Sequence, residues 1–378
     1  MFETKKETER GVLVAVVPKF QQDEKTKEYL DELAFLALTL GLKIEKRFSQ
    51  KLDHPERRTF IGTGKLNEIK EYITAEGIKN VIFDDDLSPS QLRNLENELK
   101  VTIFDRSLLI LEIFLNRAKT AQARTQVELA RYQYLLPRLT RMWTHLERQR
   151  GGTGTRGGSG EKEIETDRRI IRDQINVLRK KLDKIEIQAA TRRKSRDGVV
   201  RVALVGYTNA GKSSLMKLLS REDVYAKDEL FATVDSTVRK VVLDDIPFLL
   251  SDTVGFIRKL PHSLIESFKS TLAEVSEADV LLHVIDVSNK SHDEHVRVVD
   301  ETLEELGASQ IPTIKVFNKS DRLEDKSEIP ENVSPNSDGI YLSATTKFNL
   351  DELKVLLGTA VAKKHYQIYP NYLKPEVY

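Results

Sequence analysis

The sequence predicts an α/β protein in which two α/β domains flank an antiparallel helical coiled-coil hairpin. Three observations support this fold class. Short apolar segments alternate with amphipathic ones over residues 11–115 and again after residue 198, as expected for mostly parallel sheets. Apolar residues between these two regions recur at heptad spacing. A glycine-rich loop directly follows one continuous apolar run, which is typical of a strand–loop–helix unit.

Composition narrows the class of protein further. The 378-residue length suits two or three domains, and 39% hydrophobic with 31% charged residues predicts a soluble globular chain. The absence of cysteine excludes disulfides, thiolate zinc sites and thiol nucleophiles. The charged N-terminus does not resemble a signal peptide, and no apolar run approaches the roughly 20 residues that span a bilayer. A cytoplasmic location is therefore expected.

The N-terminal α/β domain is predicted to cover residues 1–115. Gly41 and Gly77 mark helix ends, and Ser88 followed by Pro89 predicts an N-cap and a first helical position. The predicted strands are Val12–Val17, Lys43–Arg47, Asn80–Phe83 and Val101–Phe104. The predicted helices are Tyr29–Leu40, Lys65–Glu76 and Pro89–Leu99.

Residues 116–197 are predicted to form the long antiparallel helical hairpin. Two sets of heptad-spaced apolar residues would pack against each other along its arms. Pro137 lies inside the first arm and is expected to kink it. The first set is Leu129, Tyr132, Leu136, Leu139, Trp143 and Leu146, and the second is Ile171, Ile175, Leu178, Leu182, Ile185 and Ala189.

The predicted tip of the hairpin is basic and rich in glycine. Six of the ten residues 151–160 are glycine, and residues 117–197 carry 21 lysines and arginines against 10 aspartates and glutamates. Such a tip could approach RNA closely, with its guanidinium groups bound to the phosphates. The alternative is a flexible connector between helices whose charged surfaces are solvated, which needs no partner. The RNA-binding hypothesis concerns Arg138, Arg141, Arg148, Arg150, Gly151, Gly152, Gly154, Arg156, Gly157, Gly158 and Gly160.

The second α/β domain is predicted over residues 198–364, followed by a tail at 365–378. Its apolar run Val199–Val205 leads into Gly206–Ser213, which has the spacing G-x-x-x-x-G-K-S, and a helix is predicted at Ser214–Ser220. In such a loop, Lys212 would reach the β- and γ-phosphates of a nucleotide. The shorter Gly62–Lys65 segment lacks this spacing and is interpreted as a turn.

Three further motifs follow predicted strands in the same domain: Asp252–Gly255, Asn318–Asp321 and Ser343–Thr345. Asp252 can hold magnesium through water, and the N–H of Gly255 can sense a γ-phosphate. The carboxylate of Asp321 can accept hydrogen bonds from the guanine N1–H and amino group, which selects guanine over adenine. The preceding strands are predicted at Phe248–Ser251, Thr313–Phe317 and Ile340–Leu342.

With these motifs the sequence resembles the translation-factor-related GTPases and, over essentially the whole chain, the HflX family. Phe231–Thr237 resembles that family's first switch, Asp252–Ile257 its second, and the glycine-rich tip its characteristic N-terminal feature. The resemblance implies that Thr233 binds magnesium, although spacing alone leaves Thr237 open. It also implies binding to the ribosome, chiefly to rRNA of the large subunit, and splitting of stalled or hibernating ribosomes.

Motifs and resemblance together define the expected sites. Lys212, Thr233 and Gly255 are the expected catalytic residues, and Ser213, Thr233 and Asp252 the expected Mg²⁺ ligands. The expected GTP-binding residues are Gly206, Tyr207, Thr208, Asn209, Ala210, Gly211, Lys212, Ser213, Ser214, Phe231, Ala232, Thr233, Val234, Asp235, Asp252, Thr253, Val254, Gly255, Asn318, Lys319, Ser320, Asp321, Ser343, Ala344 and Thr345.

Phe256 occupies the position where many relatives carry a water-orienting glutamine, so slow intrinsic hydrolysis with ribosomal stimulation is expected. Asn209 is either a K⁺ ligand or a loop-stabilising residue. The chain is expected to be a monomer. Two other hypotheses remain: a non-ribosomal regulatory GTPase whose hairpin binds a protein or membrane surface, and an RNA remodeller whose N-terminal domain uses nucleotide at Gly62–Lys65.

Overall fold

A computed structural model describes residues 9–139, 160–194, 198–220, 230–231, 235–261, 264, 268, 272–323 and 339–372. The chain divides into two compact units. Unit 1 comprises Met1–Asn116, Arg124–Leu182 and Pro261–Ser267. Unit 2 comprises Arg117–Ala123, Asp183–Leu260 and Phe268–Tyr378.

The sheet of unit 1 is fully parallel, with strand order β2-β1-β3-β4. Crossover helices return the chain between parallel strands, as the alternating pattern predicts. The strands are β1 (Glu9–Val17), β2 (Leu42–Lys51), β3 (Asn80–Phe83) and β4 (Thr102–Phe104). The helices between them are α1 (Asp23–Leu40), α2 (Thr63–Glu76) and α3 (Pro89–Leu99).

The helix ends of unit 1 follow local chemistry. Gly41 ends α1 in the left-handed conformation, at φ 91°, as glycine readily can. The predicted N-cap Ser88 is confirmed, because its hydroxyl accepts from the N–H of Gln91 while the Gln91 side chain accepts from the N–H of Ser88. The interpretation of Gly62–Lys65 as a turn is wrong: Gly62 is the N-cap residue and Thr63 begins α2.

The helical part of the chain contains α4 (Arg106–Arg117), α5 (Ala121–Leu135) and α6 (Gly160–Lys194). Pro137 does not lie within an α-helix: α5 ends at Leu135, and Leu136–Arg138 forms a 3-10 turn. Members of both heptad sets meet in one apolar cluster within unit 1, formed by Leu129, Leu139, Ile171, Ile175 and Leu178. The predicted tip residues 151–159 lie outside the described residues.

Unit 2 is built on a six-stranded sheet of order β10-β9-β8-β5-β7-β6, in which β6 alone among the named strands runs antiparallel. The predicted mixed, mostly parallel sheet is therefore confirmed. The strands are β5 (Val200–Val205), β6 (Thr237–Leu243), β7 (Ile246–Asp252), β8 (Val280–Asp286), β9 (Thr313–Asn318) and β10 (Gly339–Tyr341). The helices are α7 (Lys212–Ser220), α8 (Ala273–Ser276), α9 (His292–Glu305) and α10 (Leu350–Ile368).

The C-terminal helix continues past the predicted start of the tail at residue 365. Tyr366 packs against the core of unit 2 from α10, and a 3-10 turn follows at Pro370–Tyr372. Within the described ranges, the chain has no helix whose length and apolar character would allow it to cross a membrane.

Candidate nucleotide-binding site

The phosphate loop joins β5 to α7 at the carboxyl end of the central strand. Gly206 and Gly211 have φ values of 148° and 102°, which residues with a side chain rarely adopt. A Cβ on Gly206 would lie 2.2 Å from the carbonyl oxygen of Val284. Gly206 therefore lets the loop pass close to strand β8, and Gly211 lets it pass close to Asn318 of β9. The N–H groups of the loop then lie at the N-terminus of α7, where anions are favoured.

Lys212 closes the loop from within. Its Nζ donates to the carbonyl oxygens of Gly206, at 3.0 Å, and Tyr207, at 2.8 Å. Burial lowers the pKa of Lys212 to about 8, and the nearby Asp252 carboxylate opposes that shift. An ammonium group so placed gains a strong partner when a phosphate lies on the loop, which favours its charged form.

The lowered pKa predicts how nucleotide binding depends on pH. Above pH 8 the free protein loses the Lys212 proton, so GDP affinity should be about tenfold weaker at pH 9 than at pH 7. The stability of the nucleotide-free protein should instead rise between pH 8 and 10.5, since there the unfolded chain keeps a proton that the folded chain has lost. Calorimetric titration with GDP tests the first effect. Arginine stays charged, so the GDP affinity of Lys212→Arg should not change between pH 7 and pH 9. A wild-type GDP affinity that is equally independent of pH would contradict the prediction.

Ser213 and Asp252 form the oxygen-rich side of the site. The Ser213 hydroxyl donates to Oδ2 of Asp252 at 2.7 Å, at the ends of α7 and β7. Thr253, next to Asp252, donates its hydroxyl to the Leu204 carbonyl at 2.6 Å and so fixes the turn after β7. A hydroxyl and a carboxylate are hard oxygen ligands of the kind that Mg²⁺ takes together with nucleotide phosphates. The described residues contain no cluster of three or more His, Cys, Asp or Glu side chains, and such a magnesium site requires none.

The Asn318–Asp321 and Ser343–Thr345 segments are bonded to each other and to the phosphate loop. Asn318 donates from Nδ2 to the Ala210 carbonyl at 2.8 Å, and its Oδ1 accepts from the N–H of Ala344 at 3.0 Å. Ser343 donates its hydroxyl to Oδ1 of Asp321 at 2.6 Å. Asp321 remains exposed, so its carboxylate is oriented by Ser343 and accessible to a base.

An acidic residue that was not predicted from the sequence, Asp286, binds the segment Asn318–Asp321. Asp286 ends β8, and its Oδ2 lies 2.7 Å from Nζ of Lys319. Its other oxygen accepts from the N–H and hydroxyl of Ser288, at 3.2 and 2.6 Å. Lys319 has a left-handed backbone at φ 62°. The ion pair therefore orients the lysine two residues before Asp321, the residue expected to recognise the base.

The first switch is described only in part. Ala232, Thr233 and Val234 lie outside the described residues, and Phe231 is buried at φ 52°. Thr237 begins β6 opposite Asp252 of β7, so the choice between the two threonines stays open. The Asp235 carboxylate, an expected nucleotide contact, accepts from the N–H groups of Lys119 and Thr120 and from the Thr120 hydroxyl, all within unit 2.

The second switch lies directly against the phosphate loop. A Cβ on Gly255 would meet Thr208 Cγ2 at 2.9 Å and Lys212 Nζ at 3.0 Å. Phe256 is 1% exposed and pairs with Tyr207 in an isolated parallel bridge. The phenyl ring is thus packed in the protein interior.

The expected nucleotide contacts other than residues 231–235 fall into three groups by exposure. Buried residues are Gly206, Tyr207, Thr208, Ala210, Lys212, Asp252, Thr253, Val254, Gly255, Asn318, Ser320 and Ser343. Partly exposed residues are Asn209, Gly211, Ser213, Ser214, Lys319 and Ala344, whereas Asp321 and Thr345 are exposed. A buried frame with a few accessible polar groups is typical of a preformed ligand site.

Arg138 is the one arginine of the RNA-binding hypothesis that lies within the described residues. Its guanidinium donates to the carbonyl oxygens of Tyr134 and Leu87, both at 3.0 Å, and lies 3.7 Å from the centre of the Tyr134 ring. It is also 3.7 Å from Asp105. These contacts give Arg138 a structural role in unit 1. Arg141, Arg148, Arg150 and Arg156 lie outside the described residues.

A phosphate loop on a mostly parallel sheet, with a buried lysine, the Ser213–Asp252 pair and the Ser343–Asp321 pair at the strand ends, defines a P-loop GTP-binding protein. Family models match three consecutive parts of the chain: "GTP-binding GTPase N-terminal" at residues 27–115, "GTP-binding GTPase Middle Region" at 117–196 and "50S ribosome-binding GTPase" at 201–319.

The relatives specify the family. The chain is 48% identical to "GTPase HflX" of Flavobacterium psychrophilum, over 96% of this chain and 92% of that protein, and 43% identical to "GTPase HflX" of Escherichia coli, over 93% and 83%. The crystal structure of a complex of SsGBP with GDP is 25% identical, with a TM-score of 0.52 over 94% of this chain and 99% of that one. The chain belongs to the HflX family of GTPases and is a GTP-hydrolysing enzyme.

Sequence reasoning missed several supporting residues. Asp286 follows the apolar run of β8, so the strand-end pattern that identified the other motifs could have indicated it. The contacts of Asp235 with Lys119 and Thr120, 116 and 115 residues away, left no local signal. Neither did the stacking of Tyr207 on His295.

Proposed function

We propose that this GTPase associates with the large ribosomal subunit through its basic hairpin and acts in splitting or rescuing stalled or hibernating ribosomes in the cytoplasm. The observation that carries the proposal is the match of residues 201–319 to a family described as a 50S ribosome-binding GTPase. The +11 net charge of residues 117–197 adds independent support, since rRNA is a polyanion.

We propose that the chain has four segments. These are an α/β domain at 1–115, the hairpin at 116–197 with its tip at 151–160, the GTPase domain at 198–364 and a tail at 365–378. The tip glycines and Arg141, Arg148, Arg150 and Arg156 would contact rRNA. Without large side chains, the tip backbone can approach RNA closely, and neighbouring guanidinium groups can bind phosphates.

For hydrolysis, we propose Mg²⁺ at Ser213 and Thr233, with Asp252 acting through water. When bound, the ion neutralises charge on the β- and γ-phosphates. Lys212 would add its ammonium charge there, and the Gly255 N–H would hold the γ-phosphate. Phe256 has no hydrogen-bonding group and is buried, so the attacking water lacks a side-chain partner at this position. Slow intrinsic turnover that the large subunit accelerates is the consequence.

Asn209 carries a second, smaller proposal. It has a left-handed backbone at φ 61° in the phosphate loop, and its amide oxygen is a suitable ligand for K⁺. A cation there would neutralise transition-state charge in place of an arginine. Faster turnover in KCl than in NaCl, lost in Asn209→Ala, would support it; equal rates in the two salts would refute it.

The ribosome proposal is tested by cosedimentation with purified large subunits in a GTP analogue, over a range of salt concentrations. Binding should weaken steeply with salt, because neutralised phosphates release counterions. Turnover should rise at least about tenfold with subunits, given that groups supplied in trans are worth on the order of 10³–10⁵. Equal turnover with and without subunits would contradict the proposal.

A tip variant locates the interaction. Deleting Gly151–Gly160 should abolish subunit binding and stimulation while GDP affinity stays unchanged. Arg148→Gln with Arg150→Gln should weaken binding and reduce its salt dependence. Its charge-matched control is Arg93→Gln with Arg297→Gln, two exposed arginines outside the hairpin. If the control weakens binding as much, net charge and not the tip is responsible.

A further inference from the structure

Tyr207 links the phosphate loop to the second switch through its side chain. Its hydroxyl accepts a hydrogen bond from the N–H of Arg258 at 2.9 Å, three residues after the switch glycine Gly255. Tyr207 is 6% exposed, and its ring stacks on the imidazole of His295 in α9, with ring centres 3.8 Å apart and planes within 8°. The ring is therefore held on one face while the hydroxyl binds the switch backbone.

Two backbone hydrogen bonds run beside this contact. The N–H of Thr208 donates to the Phe256 carbonyl at 2.7 Å, and the N–H of Phe256 donates to the Gly206 carbonyl at 3.1 Å. Together with the tyrosine hydroxyl, three hydrogen bonds join residues 206–208 to residues 256–258. The segment after Gly255 is thus aligned with the phosphate loop along its length.

This alignment places Gly255 where it can serve hydrolysis. A Cβ on Gly255 would come within 3.0 Å of Lys212 Nζ, so the glycine lies against the lysine that reaches the γ-phosphate. The side chain of Phe256 cannot orient water, which leaves the main chain of the switch as the part to be positioned. A shift of about 1 Å in a positioned group can reduce a rate about a hundredfold.

We propose that Tyr207 is a positioning residue for GTP hydrolysis. Its hydroxyl holds Arg258, and its stacking on His295 holds the hydroxyl, so that Gly255 and Phe256 stay aligned with the phosphate loop. The proposal rests on GTP hydrolysis by the chain itself and not on ribosome association.

The test is Tyr207→Phe, which keeps the ring and removes the hydrogen bond. Single-turnover hydrolysis with protein in excess over GTP, with Mg²⁺ and without ribosomes, should be about fivefold slower, equivalent to about 1 kcal/mol of barrier. GDP affinity should stay within about twofold, because the substitution removes one side-chain hydroxyl that bonds to Arg258 and leaves the backbone of the phosphate loop, Lys212 and Asn318–Asp321 unchanged. Amide exchange of Arg258 should become faster in the GDP-bound variant.

Tyr366→Phe is the matched control, since Tyr366 lies in α10 and packs on the core of the same unit; it should behave as wild type in all three measurements. An unchanged rate in Tyr207→Phe, or a loss of GDP affinity as large as the loss of rate, would overturn the proposal. So would unaltered exchange at Arg258. None of these results depends on subunit binding, so a failure here is distinct from a failure of the ribosome proposal.

Discussion

Replacing Asp321 with asparagine should reduce GTP affinity by at least about 10³-fold, because a site built on specific hydrogen bonds strongly rejects a mismatched partner. The carboxylate can accept from both the N1–H and the 2-amino group of guanine, whereas an amide presents its NH₂ donor to one of those donors. The structure keeps Asp321 in place through the Ser343 hydroxyl at 2.6 Å. The loss would therefore arise from mismatched pairing in an ordered site.

Nucleotide specificity provides the decisive measurement for Asp321→Asn. Xanthine carries an oxygen in place of the 2-amino group of guanine, so the asparagine NH₂ gains an acceptor. The affinity for xanthosine diphosphate (XDP) should therefore rise as the affinity for GDP falls. Asp351→Asn is the control: Asp351 is an exposed carboxylate at the start of α10, paired with Lys354, and its loss should leave both affinities unchanged. GDP binding within about tenfold of wild type in Asp321→Asn would show that another group reads the base.

Much of this site was predictable because its chemistry lies at strand ends. In a parallel sheet the carboxyl ends of strands meet at one edge, so polar motifs after apolar runs converge. Asp252 and Asn318 follow that rule as the last residues of β7 and β9, and Lys212 follows β5 across the phosphate loop. Hydrogen bonds such as that from Asn318 to the Ala210 carbonyl then join segments 108 residues apart.

The features that were not predicted are contacts between segments distant in sequence and helix ends that lack an apolar repeat. The partner of the Tyr207 hydroxyl lies 51 residues away, and no local spacing indicates such a pair. Helix α1 begins at Asp23, six residues before the predicted start at Tyr29. The apolar repeat did not indicate this start, because the first turn of the helix is charged. The acidic residues there still favour a helix start through the helix dipole.

Substituting alanine for Gly206 is expected to affect both stability and binding. The added Cβ would lie 2.2 Å from the Val284 carbonyl oxygen, at a φ of 148°. Val284 belongs to β8, which is paired on both sides and cannot easily move. Backbone strain and overpacking together should destabilise the protein by about 3 kcal/mol, measured by urea denaturation, and shift the phosphate loop enough to lose GDP binding.

Gly64→Ala is the matched control, because Gly64 lies in the similar run Gly62–Lys65 but within helix α2, where a Cβ would meet no heavy atom within 4 Å. Alanine there should stabilise the protein by about 0.5–1 kcal/mol, since glycine loses more backbone entropy in a helix, and GDP affinity should not change. Similar glycine–lysine sequences would then give opposite results. Retention of wild-type GDP affinity by Gly206→Ala would instead mean that the loop tolerates a side chain at its tightest point.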